Sequence, residues 1–76
     1  MKRNEWAMTG NFQYLNKDIV KSILINIGHD LKSKLTEKTD YLLCGSNPGS
    51  KLVKAQFSGI VIITEKQFLS LLGIEI

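Results

Sequence analysis

Two stretches of this chain carry residue types suited to chemistry, and that chemistry is anion binding: Thr9-Gly10, and the run from Gly45 to Lys51 that reads Gly-Ser-Asn-Pro-Gly-Ser-Lys. A glycine-rich turn lets backbone N–H groups approach a ligand closely, and a following helix adds unpaired donors and the positive end of its dipole. Gly49 and Ser50 would form that turn and cap, with Lys51 in the first helical turn. A helix N-terminus disfavours a cation unless an anion is expected there. Thr9 offers a hydroxyl, Gly10 a close backbone approach, and Lys17 a second cation at the start of another helical pattern. Two lysines and a hydroxyl meeting at one point would hold a phosphate through charge-assisted hydrogen bonds of roughly 1.5–3 kcal/mol each. Each residue also has a plainer reading, Thr9 as a turn cap and Lys17 as a solvated first-turn lysine.

Other chemistry fails on inspection. Aligning the run on Lys51 as a nucleotide-phosphate loop puts Ser50 where glycine is needed and Leu52 where a metal-binding hydroxyl should stand, so nucleotide hydrolysis is rejected. His29 has no paired carboxylate or nucleophile near it in sequence and reads as a turn or surface histidine. Asp40 and Glu65 are explained by a loop and a helix first turn. The single cysteine, Cys44, lies in an apolar run and reads as a buried inert thiol; one Cys and one His make no zinc site. Lys32, Lys34 and Lys38 form a basic run that is either a solvated face or, with Lys54, a set of DNA-backbone contacts. Phe12 and Tyr14 read as core residues, with base stacking as the alternative.

The elements that must position these residues follow from hydrophobic spacing. Trp6-Ala7-Met8 is a short apolar run ended by Thr9-Gly10 and reads as a strand. Leu15, Ile19, Val20, Ile23, Leu24 and Ile27 fall on one helical face, with Asn16 as N-cap, Asp18 in the first turn and Gly28 as the left-handed stop. A brief strand is expected around Leu31. Tyr41 to Cys44 is short and wholly apolar, as a strand covered on both faces should be. Ser50 caps a second helix carrying Leu52, Val53, Ala55, Gln56 and Phe57, closed by Gly59. Ile60 to Ile63 is β-branched throughout, and Thr64 with Gln67 forms a capping box ahead of Phe68, Leu69, Leu71 and Leu72, a helix ended by Gly73. Strands alternating with helices predict an α/β layer structure with a mainly parallel sheet. Ligands of such sheets bind beyond the strands' carboxyl ends, where both turns should lie.

Composition bounds the function. The 76 residues make one small domain, residues 1–76, with 43% hydrophobic and 22% charged residues, an ordinary globular balance. Net charge +3 permits contact with a polyanion without demanding it. No signal-peptide pattern and no apolar stretch of the roughly 20 residues a membrane span needs is present, so an intracellular, cytoplasmic or nucleoid-associated protein is expected.

With these residues read, the chain resembles a BRCT domain, the module named for the C-terminus of a breast-cancer protein. It is most similar to the sub-type of bacterial NAD-dependent DNA ligases and of the replication factor C large subunit. The likeness is carried by Thr9-Gly10, Gly28, Lys38-Thr39-Asp40-Tyr41-Leu42, Gly45 through Ala55, Gly59-Ile60, Ile63-Thr64-Glu65 and Phe68-Leu69. It departs from the family at His29, where a second glycine is usual, and at Phe68, where many members carry tryptophan. The resemblance implies a four-stranded parallel sheet in the order 2-1-3-4, flanked by three helices, the first and third on one face and the second on the other. It also implies a binding module with no catalytic residue, metal, cofactor or small-molecule substrate. Thr9, Gly10, Lys17 and Lys51 would take a phosphate, as the replication factor C type takes the 5′-phosphate of duplex DNA. Two roles remain open: a module for DNA ends or nicks in replication and repair, or a docking module for a protein or phosphopeptide without DNA contact. The chain would be either free-standing or part of a larger ligase-type protein.

Overall fold

The computed structural model describes residues 4–74. Its elements, in chain order, are β1 (Glu5–Thr9), α1 (Lys17–Asn26), β2 (Asp30–Leu31), β3 (Tyr41–Cys44), α2 (Ser50–Phe57), β4 (Val61–Thr64) and α3 (Glu65–Leu71). The strands form one parallel sheet in the order β2-β1-β3-β4, with Trp6 opposite Tyr41 and Tyr41 opposite Val61. This is the expected topology, and the expected helix placement holds as well. Trp6, Leu15, Val20, Leu24, Leu43, Phe68 and Leu69 form one core between the sheet and α1 with α3. Ala7, Leu42 and Ala55 form a smaller core beneath α2.

The two central strands explain why the apolar runs do not alternate. Along β1, Trp6 and Ala7 are both buried, and along β3, Leu42 and Leu43 are both fully buried, because successive side chains enter opposite cores. Trp6 stacks on Tyr41 with ring centroids 4.7 Å apart and meets Phe68 edge-on at 5.5 Å. Its indole N–H donates to Nδ1 of His29 at 2.9 Å, so the histidine in place of the usual glycine is no idle turn residue. It satisfies a donor that would otherwise be buried without a partner.

Several local expectations are met. Asn16 caps α1 through a 2.9 Å bond from Ile19 N–H, Thr64 and Gln67 complete their capping box, and Gly28, Gly59 and Gly73 follow their helices with positive φ. Others are corrected. The apolar face of α1 is narrower than its spacing implies, since Ile19 and Ile27 are exposed and Val20 and Leu24 alone are buried within the helix. Ser50 does not cap α2. Gly49, at φ 69°, occupies the cap position with no side-chain bond, and Ser50 is the first helical residue. A capping hydroxyl needs the residue before the helix, and the Asn47-Pro48-Gly49 turn, with Asn47 also at positive φ, delivers glycine there. The last strand begins at Val61, one residue later than the β-branched run, while Ile60 packs into the smaller core.

The two loops at the carboxyl edge are joined backbone to backbone. Asn11 N–H donates to Ser46 O and Ser46 N–H to Asn11 O, each at 2.8 Å, and Gly45 N–H donates to Thr9 O at 2.9 Å. A Cβ on Gly45 would overlap the Asn11 carbonyl group, and one on Gly10 would lie 2.7 Å from Ser46 O. Gly10 is therefore required by the neighbouring loop and its own φ of 87°. Gly28 also has positive φ, but nothing lies within 4 Å of an added Cβ. Gly45→Ala should thus cost about 2–4 kcal/mol from steric overlap, whereas Gly28→Ala should cost only the left-handed backbone term of about 1–2 kcal/mol. Urea unfolding followed by the fluorescence of Trp6 measures both, and equal losses would refute the close-approach argument.

Candidate functional site

Beyond the carboxyl ends of β1 and β2 lies a recess of about 300 Å³ lined by Met8, Thr9, Gly10, Phe12, Lys17, Leu31, Lys32, Ser33 and Lys51. Four of the residues singled out from the sequence as phosphate ligands, Thr9, Gly10, Lys17 and Lys51, line this one recess, together with Lys32. Gly49, Ser50, Lys34 and Lys54 are not among its lining residues; Lys54 borders a separate groove with Leu35, Thr36, Phe57 and Ile60. The lysines come from three places: Lys17 opens α1, Lys32 directly follows β2, and Lys51 lies in the first turn of α2. The parallel sheet directs all three to the same edge.

The chemistry of each side chain differs. Lys51 is half-buried, and its ammonium turns back across the end of β1 to donate to Ser33 O at 3.0 Å and Met8 O at 3.5 Å. It thereby ties the segment after β2 to β1 while its charge faces only neutral oxygens in those bonds. Thr9 Oγ1 donates to Pro48 O at 2.6 Å, which joins the end of β1 to the turn before α2. Its proton is already placed, so its oxygen meets a ligand as an acceptor unless the hydroxyl rotates away from Pro48. Lys17 and Lys32 are exposed. Three lysines and no carboxylate line the recess, an arrangement that concentrates positive potential where low-dielectric walls focus it.

Met8, Leu31 and Ser33 are lining residues that the sequence did not mark out, and Phe12, read there as core or base-stacking, joins them. Phe12 packs partly against the main core, as expected, but Tyr14 is 50% exposed and is not a core residue. The loop that carries both is held from a distance by Glu65. Its Oε1 accepts from Gln13 N–H at 3.0 Å, and its Oε2 accepts from Tyr14 N–H at 2.8 Å and Leu15 N–H at 2.9 Å. No local signal points to this contact, because Glu65 also fits the first turn of α3, where a carboxylate is favoured anyway. Asp40 similarly accepts from Glu5 N–H through Oδ2 at 2.9 Å. Cys44 is half-buried rather than buried, and burial raises its thiol pKa, which favours the protonated, less nucleophilic form. Among the described residues there is no group of three or more His, Cys, Asp or Glu side chains placed to hold a metal ion, and no helix is long and apolar enough to cross a membrane.

Comparison with known proteins agrees with the fold. Residues 8–72 match the family described as the BRCA1 C Terminus (BRCT) domain. The chain is 38% identical over 74 residues to a DNA ligase of Fervidobacterium nodosum, covering 93% of this chain and 11% of the ligase. It is 35% identical over 71 residues to the DNA ligase of Pseudothermotoga lettingae and 40% identical over 68 residues to that of Syntrophus aciditrophicus, covering 93% and 90% of this chain and 10% of each ligase. The chain thus spans about a tenth of the length of these relatives.

Desolvation raises the Glu65 pKa, but the bonds from Gln13, Tyr14 and Leu15 outweigh it and hold the carboxyl below the usual carboxylate range. A depressed folded-state pKa contributes stability above the unfolded value, about 4.3 for glutamate, and loses it as pH falls through the folded value. Glu65→Gln should therefore lower stability by roughly 1 kcal/mol at pH 7, and the gap to wild type should shrink as the pH falls below about 4. Urea unfolding at pH 7 and at stepped acid pH checks this, and a gap independent of pH would show that the carboxylate charge plays no part.

Proposed function

This chain belongs to the BRCT family, and from that footing we propose that residues 1–76 act as one non-catalytic module for DNA ends or nicks, holding a 5′-phosphate in the basic recess. The observation that carries the reading is the gathering of Lys17, Lys32 and Lys51 around Thr9 and Gly10 with no acidic side chain in the lining. Like charges crowded at one edge repel one another and weaken folding unless an anion is bound there. A terminal phosphate monoester carries more charge than an internal phosphodiester, so a recess with three cations favours the end of a strand. That the matching relatives are DNA ligases supports DNA as the polyanion.

In this role the module tethers rather than reacts. An attached or associated enzyme gains local concentration at the break, an effect set by geometry and not by new contacts with the reacting bond. Such work places the protein inside the cell with DNA. One observation favours a second reading, docking of a protein partner: Phe57 is 88% exposed and Val53 is 51% exposed on α2, away from the basic recess.

The test is binding of labelled duplexes ending in a 5′-phosphate or a 5′-hydroxyl, across a salt series. The phosphate end should bind more tightly, and Lys17→Ala should weaken that preference and lower the slope of log affinity against log salt by about one. Lys17 is the cleaner variant because it is exposed, whereas Lys51→Ala also removes the bonds to Ser33 and Met8. Equal affinity for both ends, or none for either, would turn the assignment to protein docking.

A further inference from the structure

The recess has two unlike walls. Lys17, Lys32 and Lys51 supply charge beside the polar Thr9 and Ser33, while Met8, Phe12 and Leu31 supply an apolar surface. Its volume of about 300 Å³ exceeds what a phosphate group needs. At roughly 30 Å³ for each water-sized group, the four phosphate oxygens fill about 120 Å³. Met8, Phe12 and Leu31 also pack partly against the main core, and the apolar surface they leave toward the recess offers nothing to a bare phosphate but can cover a flat or apolar group attached to it.

From this geometry we propose that the apolar wall receives the 5′-terminal nucleobase, unpaired from its complement, against Phe12 while the lysines hold its phosphate. The inference rests on the end-binding reading above and specifies which part of the end is bound. Cations beside an aromatic face are the combination that single-stranded nucleic acid uses, since every base presents a π-face for stacking. Phe12 is also held in place. The Asn11–Ser46 backbone pair fixes the residue before it, and Glu65 fixes Gln13, Tyr14 and Leu15 after it. A ring positioned by its backbone on both sides meets a base without first giving up loop freedom. Tyr14, half-exposed on the same loop, presents a second aromatic ring close by in sequence.

A base must leave its pair to reach this wall, and that step is easiest where the pair is already mismatched. The experiment uses 5′-phosphorylated hairpin duplexes whose terminal nucleotide is paired, mismatched, or abasic with the phosphate retained, each beside its 5′-hydroxyl control. The mismatched end should bind at least about 5-fold more tightly than the abasic end, the lower limit of a stacking contribution, with the paired end between them. Phe12→Leu, which keeps an apolar side chain against the core, should remove the mismatched-to-abasic difference and preserve the preference for phosphate over hydroxyl. Phe12→Ala should do the same if it remains folded. A phosphate preference indifferent to the terminal base would overturn this inference and leave the end-binding reading standing. Loss of phosphate preference on every duplex would overturn both. Tighter, Phe12-dependent binding of a phosphoserine peptide, without a base effect on DNA, would assign the apolar wall to a peptide instead.

Discussion

The contact on which the rest of this edge depends is the backbone pairing between two loops far apart in sequence. Asn11 and Ser46 exchange both of their hydrogen bonds, and Gly45 donates to Thr9. Peptide groups come this close only because Gly10 and Gly45 carry no side chain. The pairing is an isolated antiparallel bridge just past the parallel β1–β3 ladder, and it fixes the loop before α1 against the loop before α2. Phe12 and Lys17 from one of these segments, and Lys51 from the other, line the same recess.

Glu65 and Lys51 brace that arrangement from opposite ends of the sheet order. Glu65 reaches from the start of α3, directly after β4, to three consecutive amides of the loop before α1. Lys51 reaches toward the β2 side and binds the carbonyl groups of Met8 and Ser33. Both are charge-assisted contacts to backbone groups, stronger in kind than neutral ones, although the Lys51 bonds are long at 3.0 and 3.5 Å. A small domain has little core with which to impose rigidity, and here side-chain bonds to backbone stiffen the loops that carry the site. Lys51 consequently has two functions, a structural one that the bonds record and an electrostatic one in the proposed binding of phosphate.

How much was legible in the sequence follows from how local each signal is. The Asn16 cap, the Thr64–Gln67 box and the glycine stops act within a few residues, so their chemistry is written where it operates. The apolar runs Trp6-Ala7 and Leu42-Leu43 imply strands covered on both faces, and both pairs are buried. The family resemblance supplied strand order and helix placement, which spacing alone leaves open. The cap of α2 is not legible locally, because a serine beside a glycine reads as a cap and only the backbone angles show that Gly49 precedes the helix. Ile19, Ile27 and Tyr14 are exposed for a related reason: apolar type says that a residue can be buried, and only the packing of the folded chain decides whether it is.

The sequence by itself determined the element types, the punctuation between them and the presence of scattered lysines with a threonine and glycines at turn positions. Those properties depend on side-chain spacing and local backbone freedom. Only the tertiary structure decided that Lys17, Lys32 and Lys51 share one recess while Lys34 and Lys54 lie outside it, that Glu65 clamps a loop some fifty residues earlier (51 from Tyr14), and that an apolar wall stands beside the cations. Each of these is a distance between residues remote along the chain, and such distances exist only after the parallel crossovers have brought the loops to one edge.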